Sequence, residues 1–216
     1  MLTAHYDSLL VLISLLVAIL ASYTALDMAG RINSTHDKGA TLWLVGGAIA
    51  MGIGIWSMHF IGMLSFKLPI ALGYDLSITV LSLLIAIVAS GFALWRISQA
   101  ELPFMKLLSS AVLMGIAIAA MHYTGMAAMR MTPGIEYDPW LFALSILIAI
   151  SASGAALWIA FRLRRNTPNV GRLRAMAAIV MGTAIIGMHY TGMAAANFPQ
   201  GLSLIHISEP TRQEAI

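Results

Sequence analysis

The chain is predicted to be all-α: a polytopic transmembrane bundle of six helices, built as three parallel helix-pair repeats. Three observations predict this. Hydrophobic residues make up 60% of the 216 and charged residues only 10%. Six apolar runs approach or exceed about 20 residues, the length that crosses a hydrocarbon core of about 30 Å. One hexapeptide then recurs at the same place in every second run: Met58-His59-Phe60-Ile61-Gly62-Met63, Met121-His122-Tyr123-Thr124-Gly125-Met126 and Met188-His189-Tyr190-Thr191-Gly192-Met193.

The first run, residues 8–26, has no Lys or Arg before Arg31, so it lacks the basic start of a signal peptide and reads as a retained helix. The second covers 41–66, after the polar stretch from Gly30-Arg31 to Lys38-Gly39. The third, 76–95, follows Lys67 to Asp75, and the fourth, 107–129, follows Arg96 to Lys106. Residues 140–161 form the fifth after Arg130 to Pro139, and 175–198 the sixth after Arg162 to Arg174. Asp27 is expected to end the first span in the headgroup zone, where the later repeats place Trp95 and Trp158 as interface anchors.

Charge sets the orientation. The odd connections carry Arg31, Lys38, Arg96, Lys106, Arg162, Arg164, Arg165, Arg172 and Arg174, against Lys67 and Arg130 in the even ones. The odd connections therefore face the cytoplasm and the N-terminus faces outside. The Arg162–Arg174 stretch is explained by orientation and by attraction to anionic lipid, and no nucleic-acid partner is implied. Lys67, Arg130 and Asn197 each follow their histidine by eight residues, about 12 Å along a helix, so the three imidazoles should share one depth below the outer boundary.

The repeat extends beyond the hexapeptide. Met51-Gly52, Met114-Gly115 and Met181-Gly182 stand eight residues before each histidine, and Ala21-Ser22, Ala89-Ser90 and Ala152-Ser153 match in the preceding helices. Such repeats imply a pseudo-symmetry axis along the membrane normal. Gly46, Ala50 and Gly54, with Ala48 and Gly52, are expected to be smooth packing faces.

Histidine inside a bilayer span is costly and marks a functional site. With the histidine at zero, the methionine at +4 falls about 40° away on the same face, while the tyrosine and threonine point elsewhere. Phe60 and Ile61 replace that tyrosine and threonine in the first copy, so His, Gly and Met are the shared elements. A lone Met-His pair reads as helix packing, but three registered copies favour a ligand site. Imidazole suits copper, zinc and iron, and thioether is a soft donor that favours Cu(I). With no cysteine and no acid nearby, the set His59, His122, His189, Met63, Met126 and Met193, flanked by Met58, Met121 and Met188, most resembles a copper site open to the outer compartment. His36 and Asp37 read as solvated residues of a basic loop, and His5, near the outer face, as at most an accessory to a metal there.

These motifs resemble the MHYT domain, a bacterial integral membrane sensor module, over roughly residues 6–200. The resemblance implies six helices in the bacterial cytoplasmic (inner) membrane, motifs near the outer face, copper held by Met and His, and sensing of oxygen, carbon monoxide, nitric oxide or redox state. The residues carrying it are Met58 and His59, Met121, His122 and Tyr123, and Met188, His189 and Tyr190; Phe60 departs from it. It also implies a cytoplasmic signalling domain or partner, commonly one that makes or degrades cyclic di-GMP, which a sixth span ending outside would join through a seventh crossing. The sensor domain is expected over residues 1–201. Residues 202–216 read as a non-native tail, since Leu204-Ile205-His206-Ile207-Ser208-Glu209-Pro210-Thr211-Arg212 resembles a translated sequencing adapter. No phosphate loop, nucleophile elbow or carboxylate pair is present, so this chain is not expected to be an enzyme. Competing readings are a copper or proton transporter or channel, and a haem- or copper-containing membrane enzyme.

Overall fold

Aspartate opens every odd-numbered helix. The Asp7 carboxylate accepts the N–H groups of Leu9 and Leu10 at the start of α1 (Ser8–Ser34), satisfying donors that a helix N-terminus leaves free. Asp75 accepts from Ile78 to start α3 (Leu76–Ser98), and Asp138 accepts from Trp140 and Leu141 to start α5 (Pro139–Leu163). The even helices are α2 (Lys38–Ser65), α4 (Phe104–Ala127) and α6 (Val170–Ala194). This is a computed structural model, and it describes residues 5–35, 38–67, 73–131, 134–165 and 167–198. All six helices are long and apolar enough to cross a membrane. His36, Asp37 and the tail from residue 202 lie outside the described residues.

The helices form a closed ring in chain order, α6 packing back on α1. Most Leu, Ile and Val face outward, among them Leu9, Leu20, Leu84 and Val88, while alanine, serine, glycine and methionine, with a few leucines such as Leu26 and Leu94, fill the interior. That inversion of a soluble core is expected where lipid covers the surface and small residues let backbones approach. Gly52 abuts the backbone of Ile87, Gly115 that of Ile150 and Gly182 that of Ile19, and a Cβ at any of the three would stand within 3.0 Å of a main-chain atom. One contact, used three times, locks each even helix to the odd helix that follows it around the ring. The smooth face expected at Gly46 and Ala50 does not pack, because both are exposed; Gly54 meets Ala21 instead.

Three short strand pairs lie beyond the helix ends and were not foreseen. β1 (His5–Tyr6) pairs with β2 (Phe66–Lys67), β3 (Gly73–Tyr74) with β4 (Met129–Arg130), and β5 (Glu136–Tyr137) with β6 (Ala196–Asn197), all antiparallel. Phe66, Met129 and residues 196–198 therefore belong to this layer, and the helices stop at Ser65, Ala127 and Ala194. The repeat unit is thus strand, helix, helix, strand, with its two ends paired to each other.

The first helix also runs past its expected end. Asp27 stays helical because Arg31, one turn on, bonds its carboxylate at 2.6 Å, while the buried Arg174 of α6 reaches it at 3.4 Å. Gly30 leaves room for that guanidinium, which a Cβ would strike. Arg164, also buried, donates to the carbonyl of Ile97 in the last turn of α3 and to those of Gln99 and Ala100 just beyond it. Arg174 likewise donates to the carbonyl of Leu163 at the end of α5, so two arginines attributed to topology and lipid are structural ties within the protein, satisfying carbonyls that a helix C-terminus leaves open.

Candidate metal centre

The register of the three hexapeptides brings His59, His122 and His189 together on the axis, each 0–1% exposed. The Nδ1 of His59 lies 3.2 Å from the Nδ1 of His122 and 3.2 Å from that of His189. The opposite edge of each ring faces a glycine of another repeat: His59 meets Gly125, His122 meets Gly192 and His189 meets Gly62. A Cβ at any of these glycines would collide with Nε2. Each glycine thus makes room for the imidazole of the repeat that precedes it around the ring.

That geometry constrains the chemistry. A neutral imidazole carries one N–H, so each ring can donate from one nitrogen only. The Nε2 atoms are buried without a well-formed hydrogen bond, and the three Nδ1 atoms can satisfy one another only in part. A cation at their centre would accept all three lone pairs. Nitrogens arranged tetrahedrally about 2.0–2.1 Å from one ion stand about 3.3 Å apart, close to the 3.2 Å observed. The donor set therefore fits a metal.

Methionine surrounds this layer. Met63, Met126 and Met193, one turn outward, are 0–2% exposed and pack together with Phe66, Met129 and Met131. Tyr6, Phe60, Tyr74, Tyr123 and Tyr137 border that cluster. Met58, Met121 and Met188 are also buried. The centre is consequently not open at the strand-bearing end of the bundle, where the sequence suggested access: the strand layer and the methionine-aromatic cluster cover it. Burial holds the Tyr137 phenol up at about 12, with the neighbouring Tyr123 adding to the effect. His5 sits in β1 opposite Lys67, away from the three imidazoles.

The tyrosines act in a different place from the histidines. Tyr123 bonds Ser145 of α5 through its hydroxyl at 2.7 Å, and the Tyr190 hydroxyl lies 3.3 Å from both Ser14 of α1 and Ser65 of α2. Phe60 cannot make the equivalent bond to Ser82 of α3; the indole N–H of Trp56 donates to that serine at 3.0 Å instead. Ser14, Ser82 and Ser145 each follow a capping aspartate by seven residues, a spacing that could have revealed them.

Fold and site together define a six-helix domain of membrane-spanning character with a threefold histidine centre. A family model described as the MHYT bacterial signalling protein N-terminal repeat matches residues 52–110, 115–171 and 182–208. The chain belongs to the MHYT family. It is 65% identical over 201 residues to the bifunctional diguanylate cyclase/cyclic di-GMP phosphodiesterase MucR of Pseudomonas aeruginosa, covering 93% of this chain and 29% of that protein. It is 46% identical over 193 residues to the cyclic di-GMP phosphodiesterase NbdA of the same organism, covering 88% and 24%. To the signalling protein YkoW of Bacillus subtilis it is 36% identical over 200 residues, covering 92% and 25%. The chain thus spans about a quarter of the length of these relatives. No solved structure matches it.

Proposed function

We propose that this domain is the sensory input of a cyclic di-GMP signalling protein, and that His59, His122 and His189 hold a copper ion as its receptor group. The observation that carries this reading is the meeting of three Nδ1 atoms, two of the separations being 3.2 Å, from helices 63 or more residues apart in sequence. Met63, Met126 and Met193 stand one turn outward, and Met58, Met121 and Met188 sit next to the histidines in the chain, so soft thioether donors are at hand for Cu(I). Copper would supply a redox-active Lewis-acidic centre to which oxygen, carbon monoxide or nitric oxide can bind. The protein's part is to hold the imidazoles in register, exclude bulk water with the methionine-aromatic cover, and convert a change among the rings into movement of α2, α4 and α6.

Each even helix meets another repeat's histidine through its glycine, so displacement of one ring presses on a neighbouring helix. The nine-to-two charge bias supports an N-terminus outside. The enzymes named among the relatives support an output domain in the cytoplasm, reached by a further crossing after α6. The test is metal content and spectrum. Purified chain loaded anaerobically with Cu(I) should retain about one ion per chain at this centre, and the triple variant H59A/H122A/H189A should retain none there. A wild-type protein whose copper content matches that triple variant would refute the assignment. A Soret band would replace copper with haem.

A further inference from the structure

Below the histidines the axis is hollow. A cavity of about 100 Å³ is lined by Met51, Met114 and Met181, one from each even helix, and by Ser22 and Ser153 of the odd helices. A recess of about 30 Å³ adds Ser90 and extends up to Met121, beside His122; it shares Met51 and Met114 with the cavity. The two triads are those the sequence repeats, Met-Gly eight residues before each histidine and Ala-Ser in each preceding helix. The metal centre uses neither.

Ser22, Ser90 and Ser153 are 1–4% exposed, and none of their hydroxyls has a hydrogen-bond partner. A serine inside a helix ordinarily bonds a carbonyl of the previous turn, as Ser14, Ser82 and Ser145 do here. Leaving a buried hydroxyl unbonded is costly, and here the cost recurs at three equivalent positions. The remaining walls are apolar, mostly alanine and isoleucine, and no lining residue is charged. An ion would therefore lack a counter-charge, whereas a molecule with an apolar body and one or two acceptor atoms would find both kinds of partner.

The surroundings say where such a molecule comes from. A crevice of about 370 Å³ between α3 and α4, walled by Leu84, Val88, Phe92 and Leu113, opens on the lipid-facing side. Its inner wall is formed by Ala89, Met114 and Ala117, all of which line the recess, and Met114 lines the cavity as well. An unbranched thioether side chain can swing aside, so Met114 is a natural gate between hydrocarbon and chamber.

We infer that this axial chamber is a second ligand site, separate from the histidine centre, for a small neutral molecule that dissolves in the membrane and accepts a hydrogen bond from Ser22, Ser90 or Ser153. Occupancy there would push on Met121 and so bear on the histidine layer from below. The inference does not require a metal.

Xenon and nitrous oxide, similar in size, are suitable probes: xenon reports an apolar cavity, and nitrous oxide adds a hydrogen-bond acceptor. Crystals of the metal-free full chain, and of H59A/H122A/H189A, would be pressurised with each gas. The expected result is a bound atom between Met51, Met114 and Met181 in both proteins. S22A/S90A/S153A should keep its xenon occupancy and lose nitrous oxide occupancy severalfold, and Ala156→Phe, which fills the chamber, should abolish both. A chamber in the unmodified chain that takes up neither gas, or that is filled by ordered water bonded to the three serines, would overturn the proposal. So would equal nitrous oxide occupancy with and without the hydroxyls. Loss of copper from the triple histidine variant would bear only on the metal centre, so the two readings fail separately.

Discussion

The second repeat and the first solve the same packing problem with different atoms. In the second, the Tyr123 hydroxyl meets Ser145 at 2.7 Å; in the first, Phe60 has no hydroxyl, and Trp56, one turn earlier, supplies an indole N–H to Ser82 at 3.0 Å. The serine stays and its partner changes. What the fold requires is a polar tie between the even helix of one repeat and the odd helix of the next, and a bilayer core without water makes such a tie worth keeping. The histidines and their glycines show no such exchange. Each ring occupies the space that a missing side chain leaves on another helix, and only glycine leaves enough.

That contrast can be broken most severely at the glycines. Gly125→Val should displace His59, destabilise the domain by about 3 kcal/mol through overpacking, and abolish copper retention, as read by denaturation in mixed micelles and by metal analysis. Retention of full copper by this variant would mean that the rings are held otherwise than the glycine contacts indicate. Tyr123→Phe and Trp56→Phe should each cost far less, about 0.6–1 kcal/mol, because one hydrogen bond is lost while the serine keeps its bond to its own helix. Their copper content should be unchanged, which separates tie from receptor. The double variant W56F/F60Y rebuilds the second repeat's arrangement in the first and should return stability to within about 0.5 kcal/mol of wild type. Failure to recover would show that Trp56 packs in a way a tyrosine hydroxyl cannot replace.

The smallest effect concerns the strand layer. Only the second repeat places an arginine eight residues after its histidine, and Arg130 there bonds Asp75 at 2.7 Å. That hydrogen bond, with a second from the Ile78 N–H, holds the Asp75 carboxyl below its ordinary 3.8. The folded state thus binds its proton less readily than the unfolded chain. The contribution should be complete above about pH 4 and fade as pH falls through the depressed value. Asp75→Asn should flatten that acid limb of the thermal unfolding profile by lowering the curve slightly at pH 7, where the pair is intact, while leaving it unmoved below the depressed value, a small effect as expected for a partly exposed pair.

Much of this was legible beforehand because membrane helices announce themselves by length and charge. The runs were misjudged at their ends for definite reasons. Asp27 and Arg31 read as a terminus, yet as partners one turn apart they neutralise each other and the helix continues. Phe66, Met129 and Ala196 are apolar enough to pass for helix, and only pairing with a strand 60 or so residues away removes them from it. Arg164 and Arg174 read as surface charge because composition cannot show which carbonyls a guanidinium will meet.

The sequence by itself determined that there are six helices, that they repeat in pairs, and that three histidines lie at one depth, since these depend on hydrophobic length and on register along a single helix. The tertiary structure alone decided which nitrogens face each other, that each glycine accommodates another repeat's ring, and that the centre is covered on its strand-bearing side with a chamber on the other. Those are distances between helices, set by which side chains are absent at the crossing, and no periodicity within one helix contains them.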